Sequence, residues 1–488
     1  MESDNGNINR RVLAGFAWQG ATKFLVQALS WVSTILVARL LEPSDYGIMA
    51  VANVFLMFML MFTDMGLAQA LMQRSQVNEA DEDAVFWLSL LVGGVLYAIL
   101  FLLAPVIAAF YQMPDLTWLM RLGALGIVIS SLKTVPSAIL MRRLDFRSRA
   151  LIEVWASLAS IVTVVGLALA GFGVWSLMWA ALAQQVIITL AYMPIMGRWP
   201  RPVFDFGPIL GIVRYGMHLM GANIAFVVSS KADVFIIGKF LGGHFTGIYS
   251  LAFQLATIPL DKIGTLFNHV AFPSLARLKE DEQQCRTLFV ELHRYLLFIA
   301  YPVLIGIAAV ADDLVALLLG AKWHQVTPIL QVLCVVNIVR VSGMLISPAL
   351  NSRGREREAL RYSLAGAVLL PLAFLLGVQF GLEGVAVAWM VGYPLLYWML
   401  LRYLHQDLGV TLTELISQSR PTLMATTVMA AAVLTAQALL AGFPPAVRLG
   451  AAVTVGMVAY VGVFLIFYGE QVARMRQALR ELRGGSAA

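Results

Sequence analysis

Charge is what this chain has least of: 13% of its 488 residues are Asp, Glu, Lys or Arg, about half the share of a soluble domain. With 60% apolar residues and a mean hydropathy of +0.81, it has too few polar side chains to cover a solvated surface. That excludes a soluble enzyme. Cysteine is nearly absent, and Cys285 and Cys334 lie too far apart in sequence for a disulfide framework or thiolate metal site. The six histidines stand singly without H-E-x-x-H spacing, and no G-x-x-x-x-G-K-[ST] segment occurs. Zinc proteolysis and ATP hydrolysis by this chain are therefore not expected. Gly171-Phe172-Gly173 reads as a tight connection between helices, not a nucleotide site. A secretory leader is not expected either, because Arg10 and Arg11 precede an apolar run interrupted by Lys23 and no small-residue cleavage pattern follows.

What the chain does have is uncharged runs matching the thickness of a bilayer. They predict spans near 14–36, 46–68, 84–110, 118–139, 150–170, 174–194, 216–238, 247–269, 292–311, 325–346, 362–380, 383–401, 422–441 and 447–467. With the N-terminus inside, 24 basic residues fall on the inner segments against four, Arg39, Lys239, Lys322 and Arg448, outside. This asymmetry supports an even span count with both termini cytoplasmic. Most of these arginines read as topology determinants and headgroup contacts. The stretches 195–215, 270–291 and 402–421 are expected to be inner-face loops, the last two amphipathic and lying on the leaflet.

An offset of 200 residues aligns two span-loop-span units. Ala38-Arg39-Leu40-Leu41-Glu42-Pro43-Ser44-Asp45-Tyr46-Gly47-Ile48 lies against Gly238-Lys239-Phe240-Leu241-Gly242-Gly243-His244-Phe245-Thr246-Gly247-Ile248. A basic residue ends one helix, and a glycine opens the next. The offset places spans one and two on spans seven and eight in the same orientation, so the halves are related by an axis along the membrane normal. The expected fold is an all-α polytopic membrane protein of about 14 transmembrane helices. Two pseudo-symmetric six-helix lobes surround a central cavity and two helices follow: N-lobe 1–194, cytoplasmic linker 195–215, C-lobe 216–403, two additional spans in 404–470 and a cytoplasmic tail 471–488.

An ionisable group at the centre of a span costs on the order of 2.5–3.5 kcal/mol on insertion scales. Eight stand out: Lys23, Asp64, Lys133, Lys231, Asp233, Asp261, Lys262 and Arg340. They have bland readings too. Lys133, close to the inner face, reads best as snorkelling to headgroups. Asp64 and Asp261 suit a gate at the mouth as well as ion coupling, and Lys231 and Asp233 sit on different faces of one helix. For Lys23 and Arg340, lipid exposure is implausible and a water-filled lumen is favoured. Five cations against three carboxylates imply an anionic passenger, for which phosphate oxygens are the matching chemistry.

Ile35 through Gly47, Phe62-Thr63-Asp64-Met65-Gly66-Leu67, Ala70-Leu71-Met72-Gln73-Arg74, Arg142-Arg143-Leu144-Asp145-Phe146 with Glu153, Gly171 through Leu177, and Ala232 through Gly238 with Gly247-Ile248-Tyr249 carry a resemblance. The chain resembles the Wzx-like polysaccharide repeat-unit flippases, colanic-acid exporter type, of the multidrug/oligosaccharidyl-lipid/polysaccharide flippase superfamily. The resemblance implies a transporter, not an enzyme, moving an undecaprenyl-pyrophosphate-linked oligosaccharide across the bacterial inner membrane by alternating access. Lys23, Lys231, Lys262 and Arg340 are then candidates for the diphosphate, and Asp64, Asp233 and Asp261 for ion coupling or gating. No cofactor is expected beyond a coupling proton or sodium ion. Membrane lipids and the polysaccharide polymerase and chain-length machinery are the expected partners, and nucleic acid is not. Two rivals remain, a lipid II flippase and a multidrug/cation antiporter of the same superfamily.

Overall fold

The computed structural model describes residues 27, 29–64, 71, 78–143, 145–203, 224 and 227–467. All regular structure among them is helical. In chain order the helices are α1 (Leu29–Leu40), α2 (Pro43–Asp64), α3 (Glu79–Tyr111), α4 (Asp115–Leu132), α5 (Thr134–Arg142), α6 (Phe146–Leu169), α7 (Val174–Tyr192) and α8 (227–240). They continue as α9 (Gly242–Arg277), α10 (Glu282–Ala309), α11 (Ala311–Leu318), α12 (Val326–Gly343), α13 (Ile346–Ser352), α14 (Glu356–Gly377), α15 (Gly381–Leu408), α16 (Leu412–Leu439) and α17 (Pro445–Phe467).

Ten stretches among the described residues are long and apolar enough to cross a membrane, and one of them, Glu356–Leu408, holds both α14 and α15. This is a multi-pass membrane protein. The expected spans 14–36 and 216–238 lie partly outside the described residues. The span expected at 247–269 falls inside α9, which is long enough to cross but is not among the ten.

Two of the expected inner-face loops are helix instead. The 270–291 stretch is the end of α9 and the start of α10, and 402–421 the end of α15 and the start of α16, each pair separated by a short turn. Local capping explains the difference. Asp281 accepts from the Gln284 amide at 2.9 Å and Thr411 from the Glu414 amide at 3.2 Å, so each new helix starts with its free donors satisfied. Gly409, with φ +64°, closes α15 in the left-handed conformation that favours glycine. The segment 312–324, between the spans expected at 292–311 and 325–346, holds α11 followed by a 3-10 turn at Ala321–Trp323.

Two expected spans are broken within their length. The fourth stops at Leu132 and restarts at Thr134, and the tenth stops at Gly343 and restarts at Ile346. Broken helices at membrane depth are tolerated where protein or a water-lined cavity covers the freed backbone.

The chain forms two compact units, Met1–Ser250 and Leu251–Ala488, the division falling inside α9. In the first, Leu100, Ala104, Leu116, Met120, Ile127 and Met178 pack α3, α4 and α7 around α2. Asp45, at the start of α2, accepts from the Val174 amide at 3.1 Å and the Glu42 amide at 3.0 Å. One carboxylate thus fastens the turn before α2 to the start of α7. Asp145 caps α6 through the Ser148 hydroxyl and amide, and those bonds hold its carboxyl below the usual carboxylate range.

In the second unit, Phe289, Leu296, Ala300, Leu304, Leu345, Ala349 and Leu404 form the core. The C-terminal pair α16 and α17 docks on α10 through Val310, Ala425, Met429, Val433, Tyr460 and Phe464. Tyr460 donates to the Phe298 carbonyl at 2.7 Å. Asp313 of α11 is buried and paired with Arg448 of α17, and it accepts from Gln437 of α16 at 3.3 Å. Arg448 is 28% exposed, so removing the carboxylate strands a charge that water partly reaches, at about 1–3 kcal/mol. Asp313→Ala is therefore expected to lower the unfolding temperature in detergent and expose α16 and α17 to protease, with Asp313→Leu/Arg448→Met recovering most of the loss. Equal loss in the single and double variants would show that the pair does not fasten α17.

Candidate functional site

Arg340 is the one expected lumen cation whose surroundings are fully drawn. It sits on α12, one turn after Asn337 and just before the break at Met344 and Leu345. Asn337 is 3% exposed and donates to the Ala256 carbonyl of α9 at 3.0 Å. That carbonyl lies next to the one deprived of its helical donor by Pro259. The same face of α12 carries Arg340 to Phe253, one turn earlier on α9. The guanidinium carbon stands 5.8 Å from the ring centres of both Phe253 and Tyr393 of α15. Trp389 stacks on Tyr393 with centroids 5.1 Å apart and tilts against Phe253 at 6.1 Å. Tyr362 of α14 lies within electrostatic reach of both Arg340 and Tyr393. Four helices thus bring a half-buried guanidinium into an aromatic surround.

Magnitudes decide what that surround can do. A cation over a ring gains roughly 0.5–2 kcal/mol within about 6 Å, and both contacts are near that limit. A charge at this depth costs on the order of 2.5–3.5 kcal/mol. The rings offset only part of it, and no carboxylate among the described residues pairs with Arg340. An anion would complete the site.

The other expected site residues are not gathered there. Lys23 lies outside the described residues, and Asp64 ends α2 with its side chain outside them. Lys231 is half-buried on α8, whereas Asp261 and Lys262 are exposed on α9. Asp233 is 1% exposed and accepts from the Tyr249 hydroxyl at 2.7 Å and from the Val234 amide at 2.7 Å. Within the first unit, then, α8 and α9 share a buried carboxylate–phenol pair. Lys133 occupies the break between α4 and α5 and donates to Gln185 of α7 at 3.3 Å, an internal partner in place of the expected headgroups.

Sequence reading missed two kinds of residue. Arg121, on α4, bonds the Phe101 carbonyl at 3.3 Å and lies 4.3 Å over the Phe101 ring and 4.9 Å over Trp118. Its signal, a lone charge inside an apolar run, was present and passed over. Several arginines expected on the inner face have carboxylate partners that charge counting alone does not reveal. Arg198 meets Asp83 at 2.7 Å, Arg353 and Arg355 share Asp407 at 2.6 and 3.2 Å, and Arg286 meets Glu414 at 2.8 Å. The hydrogen bond to Asp83 raises the Arg198 guanidinium above its ordinary value.

The model of the family described as "Polysaccharide biosynthesis protein" matches residues 36–328, more than half of the chain. The chain belongs to this family. It is similar to the teichuronic acid biosynthesis protein TuaB of Bacillus subtilis strain 168, 27% identical over 78% of this chain and 80% of the relative. It is also similar to the lipopolysaccharide biosynthesis protein WzxC of Escherichia coli K12, 25% identical over 79% of each. A third relative is the succinoglycan biosynthesis transport protein ExoT of Rhizobium meliloti strain 1021, 27% identical over 85% of each. Among solved structures, the lipid II flippase MurJ in an inward closed conformation superposes with a TM-score of 0.73 at 14% identity, over 93% of this chain and 99% of that one. An inward-facing multidrug resistance MATE family transporter of the MOP superfamily gives 0.62 at 17%, over 79% and 94%. These two likenesses show the fold. The all-helical, membrane-spanning fold expected from the sequence is the one observed.

If the rings hold Arg340 in place, Tyr393→Leu and Phe253→Leu should each forfeit about 1 kcal/mol of that hold. Surface polysaccharide output, measured at equal protein level, is then expected to fall roughly fivefold in each variant. Unchanged output in both would reduce the rings to packing.

Proposed function

We propose that this chain is a flippase that moves an undecaprenyl-pyrophosphate-linked oligosaccharide repeat unit across the bacterial inner membrane by ion-coupled alternating access. The observation that carries the proposal is Arg340, a half-buried guanidinium at span depth between two aromatic rings, with no carboxylate partner among the described residues. A diphosphate supplies the missing anion with oxygens that fit the guanidinium fork. The rings beside it offer flat apolar faces to sugar rings. Lys23, Lys231 and Lys262 are assigned to the same passenger, handing the diphosphate along.

Other features support the reading. The relatives' names, which speak of teichuronic acid, lipopolysaccharide and succinoglycan transport, favour a glycan passenger over a drug. The breaks in the fourth and tenth expected spans are of the kind that mark binding sites in transporters built from repeats. The likeness to MurJ is one of fold, so lipid II is not favoured by it as passenger.

The test is the leaflet distribution of lipid-linked repeat units in spheroplasts from cells depleted of this protein, read with an impermeant sugar probe. Units should accumulate on the inner leaflet and return to the outer one with the wild type. Arg340→Ala should reduce outward movement by roughly tenfold or more, the effect of losing a charged hydrogen-bonding partner. Arg142→Ala, exposed at the end of α5, should leave it intact. Normal outer-leaflet appearance without the protein would sink the flippase reading, and equal activity of the two variants would sink the cationic site.

Asp64, Asp233 and Asp261 are assigned to ion coupling or gating. Asp233 is the best defined, since its carboxylate already shares a hydrogen bond with Tyr249. Asp64→Asn and Asp233→Asn should flatten the dependence of transport on external pH or sodium. A dependence identical to the wild type in both would leave these carboxylates structural.

A further inference from the structure

Within the first compact unit, the two sequence segments related by the 200-residue offset touch each other, and they touch reciprocally. A β-carbon placed on Gly47 of α2 would stand 1.8 Å from the Gly243 carbonyl oxygen of α9. One placed on Gly247 of α9 would stand 1.7 Å from the Pro43 carbonyl oxygen of α2. Adding 200 to Gly47 and to Pro43 gives Gly247 and Gly243, so each contact is the other with the two helices exchanged. Gly47 and Gly247 are both buried, and each faces the backbone of the opposite helix one turn before that helix's own glycine. No side chain could yield to make room, because the opposing atom in both contacts is main-chain. Small residues at a four-residue spacing let helix backbones approach to this degree in membranes.

The position of the contact is as telling as its closeness. It lies at the arginine-poor ends of α2 and α9, where both helices begin, beside the Asp45 carboxylate that fastens α7. The segments also carry the resemblance motif and the repeat motif, and the atoms that meet in the contact itself are neutral main-chain atoms. A two-fold backbone contact between repeat-related helices, tight enough to exclude water and made of neutral groups, has the properties of a seal. It closes by van der Waals packing and parts without stranding a charge.

We propose that the reciprocal seating of Gly47 and Gly247 is the closing joint at the arginine-poor end of the transport pathway, parted and remade in each cycle. The inference rests on the transport reading but not on the identity of the passenger. It requires that the contact be present in the membrane and that fixing it shut stop transport.

Gly243 offers the probe. A β-carbon there would meet Ile48 Cγ1 at an ordinary 3.6 Å, so Ile48→Cys with Gly243→Cys places two thiols across the joint without crowding. The background carries Cys285→Ala and Cys334→Ala, and the strain lacks its own copy of the protein. Oxidation of membranes should close a disulfide, read as loss of maleimide labelling. Polysaccharide output in the same cells should stop on oxidation and return on reduction, which also shows that the fold survived. Gly47→Ala and Gly247→Ala should each lower output by roughly tenfold or more, as a methyl forced into a closed contact does. Gly94→Ala, with open space around its β-carbon, should not.

A disulfide that forms while output continues would overturn the joint, since the contact would then be static scaffolding. Failure of the disulfide to form would overturn it as well, because the contact would not be populated. If the background chain without the paired cysteines failed to restore output, the transport reading itself would fall, and that result appears before any oxidant is added.

Discussion

A bilayer interior offers a charge no water, and the placement of every ionised side chain in this protein follows from that constraint. Among the described residues, several of the few charged side chains sit at helix ends, where they pair or cap. Asp83 with Arg198, Asp407 with Arg353 and Arg355, and Glu414 with Arg286 tie turns to neighbouring helices. Asp45 and Asp313 do comparable work, one for α7 in the first unit and one for α17 in the second. Charged side chains therefore fasten the helices together within each unit.

Against that background the exceptions become informative. Lys133 and Arg121 lie inside spans but have internal acceptors, a side-chain amide and a main-chain carbonyl. Asp233 has a phenol. Arg340 has rings, which attract a cation but cannot accept a hydrogen bond in the guanidinium plane. None of its five donors has an acceptor among the described residues. Asn337, one turn before it, braces α9 near Pro259.

How much of this was legible in the sequence depends on the length scale of the signal. Span positions and the helical class follow from apolar runs about twenty residues long, which outweigh any local error. The 200-residue repeat was legible because Leu41, Gly47 and Ile48 recur with their spacing intact. The inner-face segments 270–291 and 402–421 were misjudged as loops because charge was read as a break in structure. A helix leaving the bilayer keeps its hydrogen bonds and simply changes solvent. The breaks at Lys133 and at Met344 each lie one turn before a proline, Pro136 and Pro348, which lack the amides that would bond the Leu132 and Met344 carbonyls, a local signal that the reading of apolar runs passed over. Arg340 was legible as a charge in the wrong solvent, but its aromatic surround was not, because Phe253, Tyr362 and Tyr393 come from three other helices.

The repeat and the charge map bear on each other through energetics. A gene-doubled fold brings equivalent segments to face one another, so any contact between them is made twice or not at all. For charged groups that is unfavourable, since Arg39 and Lys239 are equivalent and alike in sign. A neutral backbone contact avoids the conflict, and glycine at 47 and 247 satisfies both copies at once. Charged ends pair within their own unit, Arg198 with Asp83 and Arg353 with Asp407. The symmetric neutral contact, by contrast, is imposed by the fit of the two helices against each other.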